Sequence, residues 1–188
     1  MINSIIITDL SDAVSFSFKE NKENVWISVV DEEDRNKIRT IKKNFNIKRI
    51  PHFAQYFYDW SDEDNDVYIQ KHIEELGPRE QHVNNIISFL QSIAESDKVY
   101  HLGVNCFAGV SRSTAIGIIA WVMQGKSPQE ALEEIIKVRP MAWPNLRILR
   151  FASEQLGQDL VTPVKSWKEP QVGHIYYAPK SGWDSGFV

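Results

Sequence analysis

The sequence predicts an α/β domain in which helices pack on the faces of a sheet. Three observations carry that expectation. Short β-branched runs dominate the first half of the chain and helical periodicities the second. Residues Ala115–Met123 are apolar nearly all round, which suits a helix buried against a sheet. A chain of 188 residues with 43% hydrophobic content can bury one good core.

Taken in order, Ile5–Thr8 and Val25–Val30 read as strands. Asp31–Asn44 is charged, with Ile38, Ile41 and Phe45 at helical spacing, and reads as a surface helix. Ile47–Tyr58 holds another strand, ending at Tyr58. Asp59–Glu75 contains seven Asp or Glu and no clean period, so it reads as a long loop with at most a helical turn. Pro78–Ser96 is predicted helical, with Val83, Ile86, Ile87, Leu90 and Ala94 on one face. Lys98–Asn105 is the next strand. After the helix at Ala115–Met123, Gly125 supplies a left-handed stop.

Ser127-Pro128-Gln129-Glu130 is a capping box with proline at the first helical position. Its helix runs through Ile136 and stops before Pro140. Pro144-Asn145 opens another, with Leu149, Ala152 and Leu156 on one side and Gly157 at its end. Residues 1–160 therefore form the expected domain. Residues 161–188, with Pro163, Pro170, Pro179, Trp167, Tyr176, Tyr177, Trp183 and Phe187, read as an irregular arm packed on it.

A net charge of −4 argues against bulk binding to nucleic acid or a membrane surface. The single cysteine excludes an intrachain disulfide, argues against a cysteine-based zinc site and fits a reducing, cytoplasmic compartment. The N-terminal residues lack a basic region followed by a long apolar core, and no run is long enough to span a bilayer. The expectation is a chain with no signal peptide and no membrane. Oligomeric state is not legible.

That one cysteine opens the run Cys106-Phe107-Ala108-Gly109-Val110-Ser111-Arg112-Ser113, between a strand and a helix. A cysteine at a strand end points its sulfur into the mouth of the loop that follows. The loop's N–H groups and the helix N-terminus converge there as an anion nest. Residues Phe107 to Ser111 supply the amides. Gly109 admits a backbone conformation closed to other residues. Arg112 can clamp a phosphate with two parallel hydrogen bonds. The same positive field favours the thiolate near neutral pH. Ser113 can donate to the sulfur and ease its departure in a second step. By contrast, a buried structural cysteine needs none of these offsets.

The run Asn105 to Thr114 resembles the signature loop of the cysteine-dependent protein tyrosine phosphatases, in the dual-specificity branch. Ala54-Gln55-Tyr56-Phe57-Tyr58-Asp59 is similar to the strand leading to that branch's general-acid loop. Arg139-Pro140, Pro144-Asn145 and Gln155-Leu156 resemble its C-terminal helix pair. The resemblance covers roughly Ile5 to Gly157. It implies a central, mostly parallel sheet flanked by helices, a phosphocysteine intermediate, no metal and no cofactor. One position departs from the pattern. The family usually has His before the nucleophile; here it is Asn105, which can donate a hydrogen bond but carries no charge. The thiolate should be less favoured, and iodoacetamide should alkylate the natural protein more slowly than Asn105→His at a given pH. His101, four residues earlier, is better read as a histidine satisfied within its strand.

Phosphate-ester cleavage needs a proton on the leaving oxygen, and an Asp on a neighbouring loop is the usual donor. Asp59 is the first candidate. Asp62 is the alternative, followed by Glu63, Asp64 and Asp66. The separation of 47 positions from Asp59 to Cys106 is longer than is common in the branch, which keeps those alternatives open. The expected substrate is a phosphorylated protein or peptide. The loop residues Phe107, Ala108, Val110 and Ser111 include no Lys or Arg, which disfavours phosphoinositides. The net negative charge speaks mildly against RNA 5′-phosphates. The remaining alternative is a weak or inactive phosphate-binding module.

Overall fold

The computed structural model describes residues 1–16, 23–47 and 50–171. Four strands form one sheet: β1 (Ile2–Thr8), β2 (Asn24–Val30), β3 (His52–Tyr56) and β4 (Tyr100–Asn105). All pairings are parallel, and the order across the sheet is β1-β4-β2-β3. Strand β4 is thus central, with Val104 in register between Ile7 and Ile27, and Asn105 between Thr8 and Ser28. Its last residue delivers Cys106 to the carboxyl edge of the sheet, where open α/β sheets bind ligands.

The helices are α1 (Leu10–Ser15), α2 (Arg35–Ile47), α3 (Val67–Leu76), α4 (Glu80–Ala94), α5 (Arg112–Met123), α6 (Pro128–Val138), α7 (Leu146–Leu156) and α8 (Val161–Lys168). They divide between the two faces according to the strands' alternation. Val25, Ile27 and Val29 of β2 join the larger core with α4 to α8. Trp26 and Val30 point the other way, into a smaller core with Leu10, Ala13, Ile38, Ile41 and Phe45. Helix α5 is buried almost throughout, as its all-round apolarity predicts. The Trp26 indole lies across Gly103 of β4, where a Cβ would come within 2.1 Å of the ring. Gly103 therefore brings Trp26 down onto the strand that carries Asn105.

Several expectations hold in detail. The Ser127/Glu130 capping box is formed, and Gly125 and Gly157 take positive φ at the ends of their helices. Three need correction. Strand β3 ends at Tyr56, two residues early. Residues Asp59–Glu75 are not all loop, because α3 occupies Val67–Leu76. Its apolar stripe is narrow: Ile73 alone is fully buried, while Val67 and Tyr68 are exposed. The Asp66 carboxylate starts it by accepting from the amides of Tyr68 and Ile69. Third, the segment after 160 begins as a helix, not an irregular arm. Pro163 sits in the first turn of α8, where its missing N–H costs nothing, and Leu160 and Val164 are fully buried. The rest of the expected arm, from residue 172, lies outside the described residues. Among the described residues no helix is long and apolar enough to cross a membrane.

Candidate active site

The loop from Cys106 to Arg112 is turned so that the carbonyls of Phe107 to Ser111 face outward, and each of these finds a donor there. Phe107 O accepts from the Leu10 amide at 3.0 Å. Ala108 O and Gly109 O accept from Arg139 Nη2 and Nε at 2.9 and 3.0 Å. Val110 O accepts from the Trp143 amide at 2.8 Å, and Ser111 O from the Ala115 amide at 3.1 Å and the Asn145 amide at 3.4 Å. The amides of Phe107, Ala108, Val110 and Ser111 make no hydrogen bond among the described residues. This is the geometry of an anion nest, with acceptors satisfied from outside and donors left for a ligand. Gly109 makes the turn possible, with φ of +68° and no room for a Cβ within 2.7 Å of the Thr8 backbone.

Cys106 and Ser113 are buried at the bottom of this loop. The sulfur lies 3.2 Å from Ser113 Oγ and accepts from the Gly109 amide at 3.2 Å. Arg112 is also buried. Its Nη1 donates to Asp31 Oδ1 and to Phe57 O, both at 2.6 Å. Its Nε is buried without a hydrogen-bond partner, 3.9 Å from Asp59 Oδ2. One edge of the guanidinium is thus fixed by the protein, and the Nε donor is unspent. Burial opposes the Arg112 charge, but Asp59, Asp31 and Cys106 together hold it above the ordinary arginine value. Asp31 is shifted upward, because burial outweighs the pull of Arg112.

Asp59 stands beside the loop. Its Oδ1 accepts from Ser111 Oγ at 2.7 Å and Asn145 Nδ2 at 2.9 Å. With Oδ1 doubly engaged, Oδ2 is the oxygen that faces Arg112 Nε. Ser111 occupies the N-cap of α5 but spends its hydroxyl on Asp59, not on the helix. Asp62 is placed differently. Both of its oxygens are bound, Oδ1 by Arg147 Nη1 at 2.7 Å and Oδ2 by Arg150 Nε at 2.8 Å. Burial alone would raise its proton affinity, but those two arginines hold it below the ordinary carboxylate value. Glu63 pairs with Lys168, Asp64 accepts from the Ser61 amide, and Asp66 caps α3. Among the described acids from 59 to 66, Asp59 alone contacts the Cys106 loop.

Asn105 sits beneath the cysteine in a polar chain of its own. Its Oδ1 accepts from Trp26 Nε1 at 2.7 Å and from Ser28 Oγ at 2.6 Å. The Ser28 proton is spent there, so His52 Nε2, 2.9 Å away, must be the donor to Ser28. Burial pushes His52 down to about 4, which keeps it neutral. Asn105 Nδ2 and Thr8 Oγ1, paired in register across β4 and β1, are buried without partners. A neutral histidine at 105 offers one acceptor where two donors point, so Asn105 comes with surroundings built for an amide. His101 is bonded to Ser4 at 2.6 Å, near the opposite end of β4.

Four residues escaped the sequence reading of the site. Asp31 read as the start of a helix, although its place at the carboxyl end of β2, beside β4, is a usable signal. Asn145 read only as a helix cap. Arg139 entered only through the resemblance of Arg139-Pro140 to the family's helix pair, and Lys168 gave no local signal; their partners at the site are far away in the chain. Among the described residues no group of three or more His, Cys, Asp or Glu is arranged to hold a metal ion.

No protein-family model matches the sequence, and no curated protein does. Solved structures match in three dimensions. Tk-PTP in its active form superposes with a TM-score of 0.53 at 13% identity, covering 81% of this chain and 90% of its own. Human DUSP28 gives 0.51 at 14% identity, covering 80% and 86%. The human tyrosine phosphatase-like serine/threonine/tyrosine-interacting protein gives 0.51 at 18%, covering 82% and 91%. The fold is that of the dual-specificity-type tyrosine phosphatases. Within this phosphatase fold the Cys106 loop lies between the central strand β4 and helix α5.

Proposed function

We propose that the protein is a cysteine-dependent phosphomonoester hydrolase that removes phosphate from proteins or peptides. The observation that carries this reading is the unpartnered, buried Nε of Arg112 facing a loop whose free amides surround Cys106. A buried guanidinium donor without an acceptor is costly, and an anion in the cradle supplies the acceptor.

The reaction runs in two steps. The Cys106 thiolate attacks phosphorus in line with the ester oxygen. Loop amides and Arg112 hold the equatorial oxygens as charge builds on them. The phosphorus–oxygen bond breaks, and Asp59 gives its proton to the leaving alkoxide or phenoxide. Asp59, now a carboxylate, takes a proton from water as that water attacks the phosphocysteine. The sulfur leaves as thiolate with the Ser113 hydroxyl donating to it, and inorganic phosphate is released. No cofactor enters. The free thiol favours a reducing, cytoplasmic setting.

Asp31 and Asp59 both flank the Arg112 clamp, and the residues from Phe107 to Ser111 add no Lys or Arg. A phosphoinositide or an RNA end would add further negative charge to that surrounding. A single phosphate on tyrosine, or on serine or threonine, fits it better.

The test is hydrolysis of p-nitrophenyl phosphate and of phosphopeptides by the natural protein and Cys106→Ser. Turnover that falls by about 10⁴-fold in the variant supports the assignment. One observation favours a second reading. Asn105 gives the nucleophile no charged neighbour, and the same fold carries a protein named phosphatase-like and interacting. Phosphopeptide binding with no Cys106-dependent turnover would make the chain a capture module.

A further inference from the structure

The segment that carries Asp59 is fastened from outside by side chains of α7 and α8. Asp62 is held by Arg147 and Arg150 of α7. Glu63 is held by Lys168, the last residue of α8, with Nζ to Oε2 at 2.5 Å. The Lys168 side chain is only 4% exposed. Lysine is rarely buried so completely, because its ammonium gives up strong hydration. That cost shows as a downward shift in its proton affinity, set by burial and partly offset by Glu63, Asp59 and Asp64.

What the buried ammonium touches explains its place. It lies 4.7 Å over the Trp143 ring. Trp143 is the residue whose amide holds Val110 O of the Cys106 loop. Its ring also packs on Trp167 of α8, with centroids 6.0 Å apart. Leu160 and Val164 root α8 in the main core. One ammonium thus bridges the segment bearing Asp59 and the connector that braces the Cys106 loop.

We infer that Lys168 is a positioning residue for the proton donor, locking the Asp59 segment against the Cys106 loop through Glu63 on one side and Trp143 on the other. The inference rests on Asp59 being the acid. Helix α8 then belongs to the catalytic apparatus, although it contributes no group to the cradle.

The experiment compares two substrates that differ in their need for a proton. The phenoxide of 2,4-dinitrophenyl phosphate departs unprotonated, whereas that of phenyl phosphate needs an acid. The measured quantity is kcat/KM, which reports steps up to formation of the phosphocysteine. Lys168→Met is expected to lower it about tenfold for phenyl phosphate and less than about twofold for the dinitrophenyl ester. Lys168→Arg should recover most of the loss, since a guanidinium can meet both Glu63 and Trp143. Glu63→Ala breaks the same contact from its half-exposed end and should show the same selectivity, whatever Lys168→Met does to folding. Asp59→Asn is the reference, with a larger loss of about 10²-fold or more confined to phenyl phosphate. If Asp59→Asn is selective while the Lys168 and Glu63 variants lose nothing or lose equally on both esters, the positioning role is wrong. If Asp59→Asn is itself unselective, the acid assignment fails and takes the inference with it.

Discussion

The Cys106 loop and the segment of residues 59–66 face the same guanidinium, but they are built from opposite materials. The first is held by its own backbone. Its carbonyls are pinned by the amides of Leu10, Ala115, Trp143 and Asn145 and by the two nitrogens of Arg139. The second is held by side chains, with carboxylates reaching out to Arg147, Arg150, Lys168 and Asn145. A backbone cradle presents donors at fixed positions, as binding an oxyanion requires. A side-chain lattice sets the position of one carboxylate and is tuned by charge. The two should therefore fail differently when cut. Damage to the cradle should weaken every phosphate ester alike. Damage to the acid segment should show only where the leaving group needs a proton.

Arg139 offers the largest break in that contrast. It lies outside the loop, in the residue that follows α6, and serves two loop carbonyls at once. Charge-assisted hydrogen bonds to a partly buried acceptor are worth about 1.5–3 kcal/mol. Arg139→Met should lower kcat/KM about 10²-fold on phenyl and dinitrophenyl phosphate equally, with vanadate inhibition weakened by a similar factor. A loss confined to phenyl phosphate would mean that Arg139 acts on the acid segment, and the division between the two loops would collapse.

Much of this was legible in the sequence, and the pattern of misses follows the same division. The strand–loop–helix at Cys106 is local: a β-branched strand, a glycine that only a left-handed turn requires, and an arginine at the start of a buried helix. The place of Asp59 beside the loop was legible because it comes three residues after a strand at the sheet's carboxyl edge. The fastening of its segment was not, since Asp62 and Arg147 are 85 positions apart and Glu63 and Lys168 are 105 apart. Spacing carries no trace of such pairs. Helix α3 was missed because Ile69, Ile73 and Leu76 form a thin stripe among charges. Helix α8 was missed because prolines and aromatics dominate its surroundings in sequence. Both lie next to the acid segment, whose packing is the least local in the molecule.

Below the cradle, acid should test the strand ends that support it. His52 donates to Ser28, which donates to Asn105. Folding moves His52 from 6.5 to about 4, through burial first and nearby Lys42 second. Between those values the folded protein binds fewer protons than the unfolded chain, so stability falls as pH drops. At pH 5 the loss from this one group is about 2 kcal/mol relative to pH 7.5. His82, also near 4 and stacked on Phe57, adds a further loss in the same window. Urea denaturation at both pH values should show His52→Gln losing about 2 kcal/mol less than the natural protein. An unchanged pH dependence would mean that His52 takes up its proton equally in the folded and unfolded chain, so that its burial costs the fold nothing in acid.

The smallest expected effect sits where the two regions meet. Asn145 touches both: its backbone N–H reaches Ser111 O, and its side chain reaches Asp59 Oδ1 and Trp60 O while capping α7 at the Ile148 amide. Asn145→Ala removes the side-chain bonds and leaves the backbone one. The acid segment should loosen while the cradle keeps its shape. The expected result is about a tenfold loss of kcat/KM on phenyl phosphate, and at most about twofold on the dinitrophenyl ester. Stability should fall by about 1 kcal/mol from the lost cap. Equal losses on the two esters would show that the side chain braces the cradle as well. Asn145 would then be a joint shared by both loops, and the contrast between backbone and side-chain support would hold only away from it.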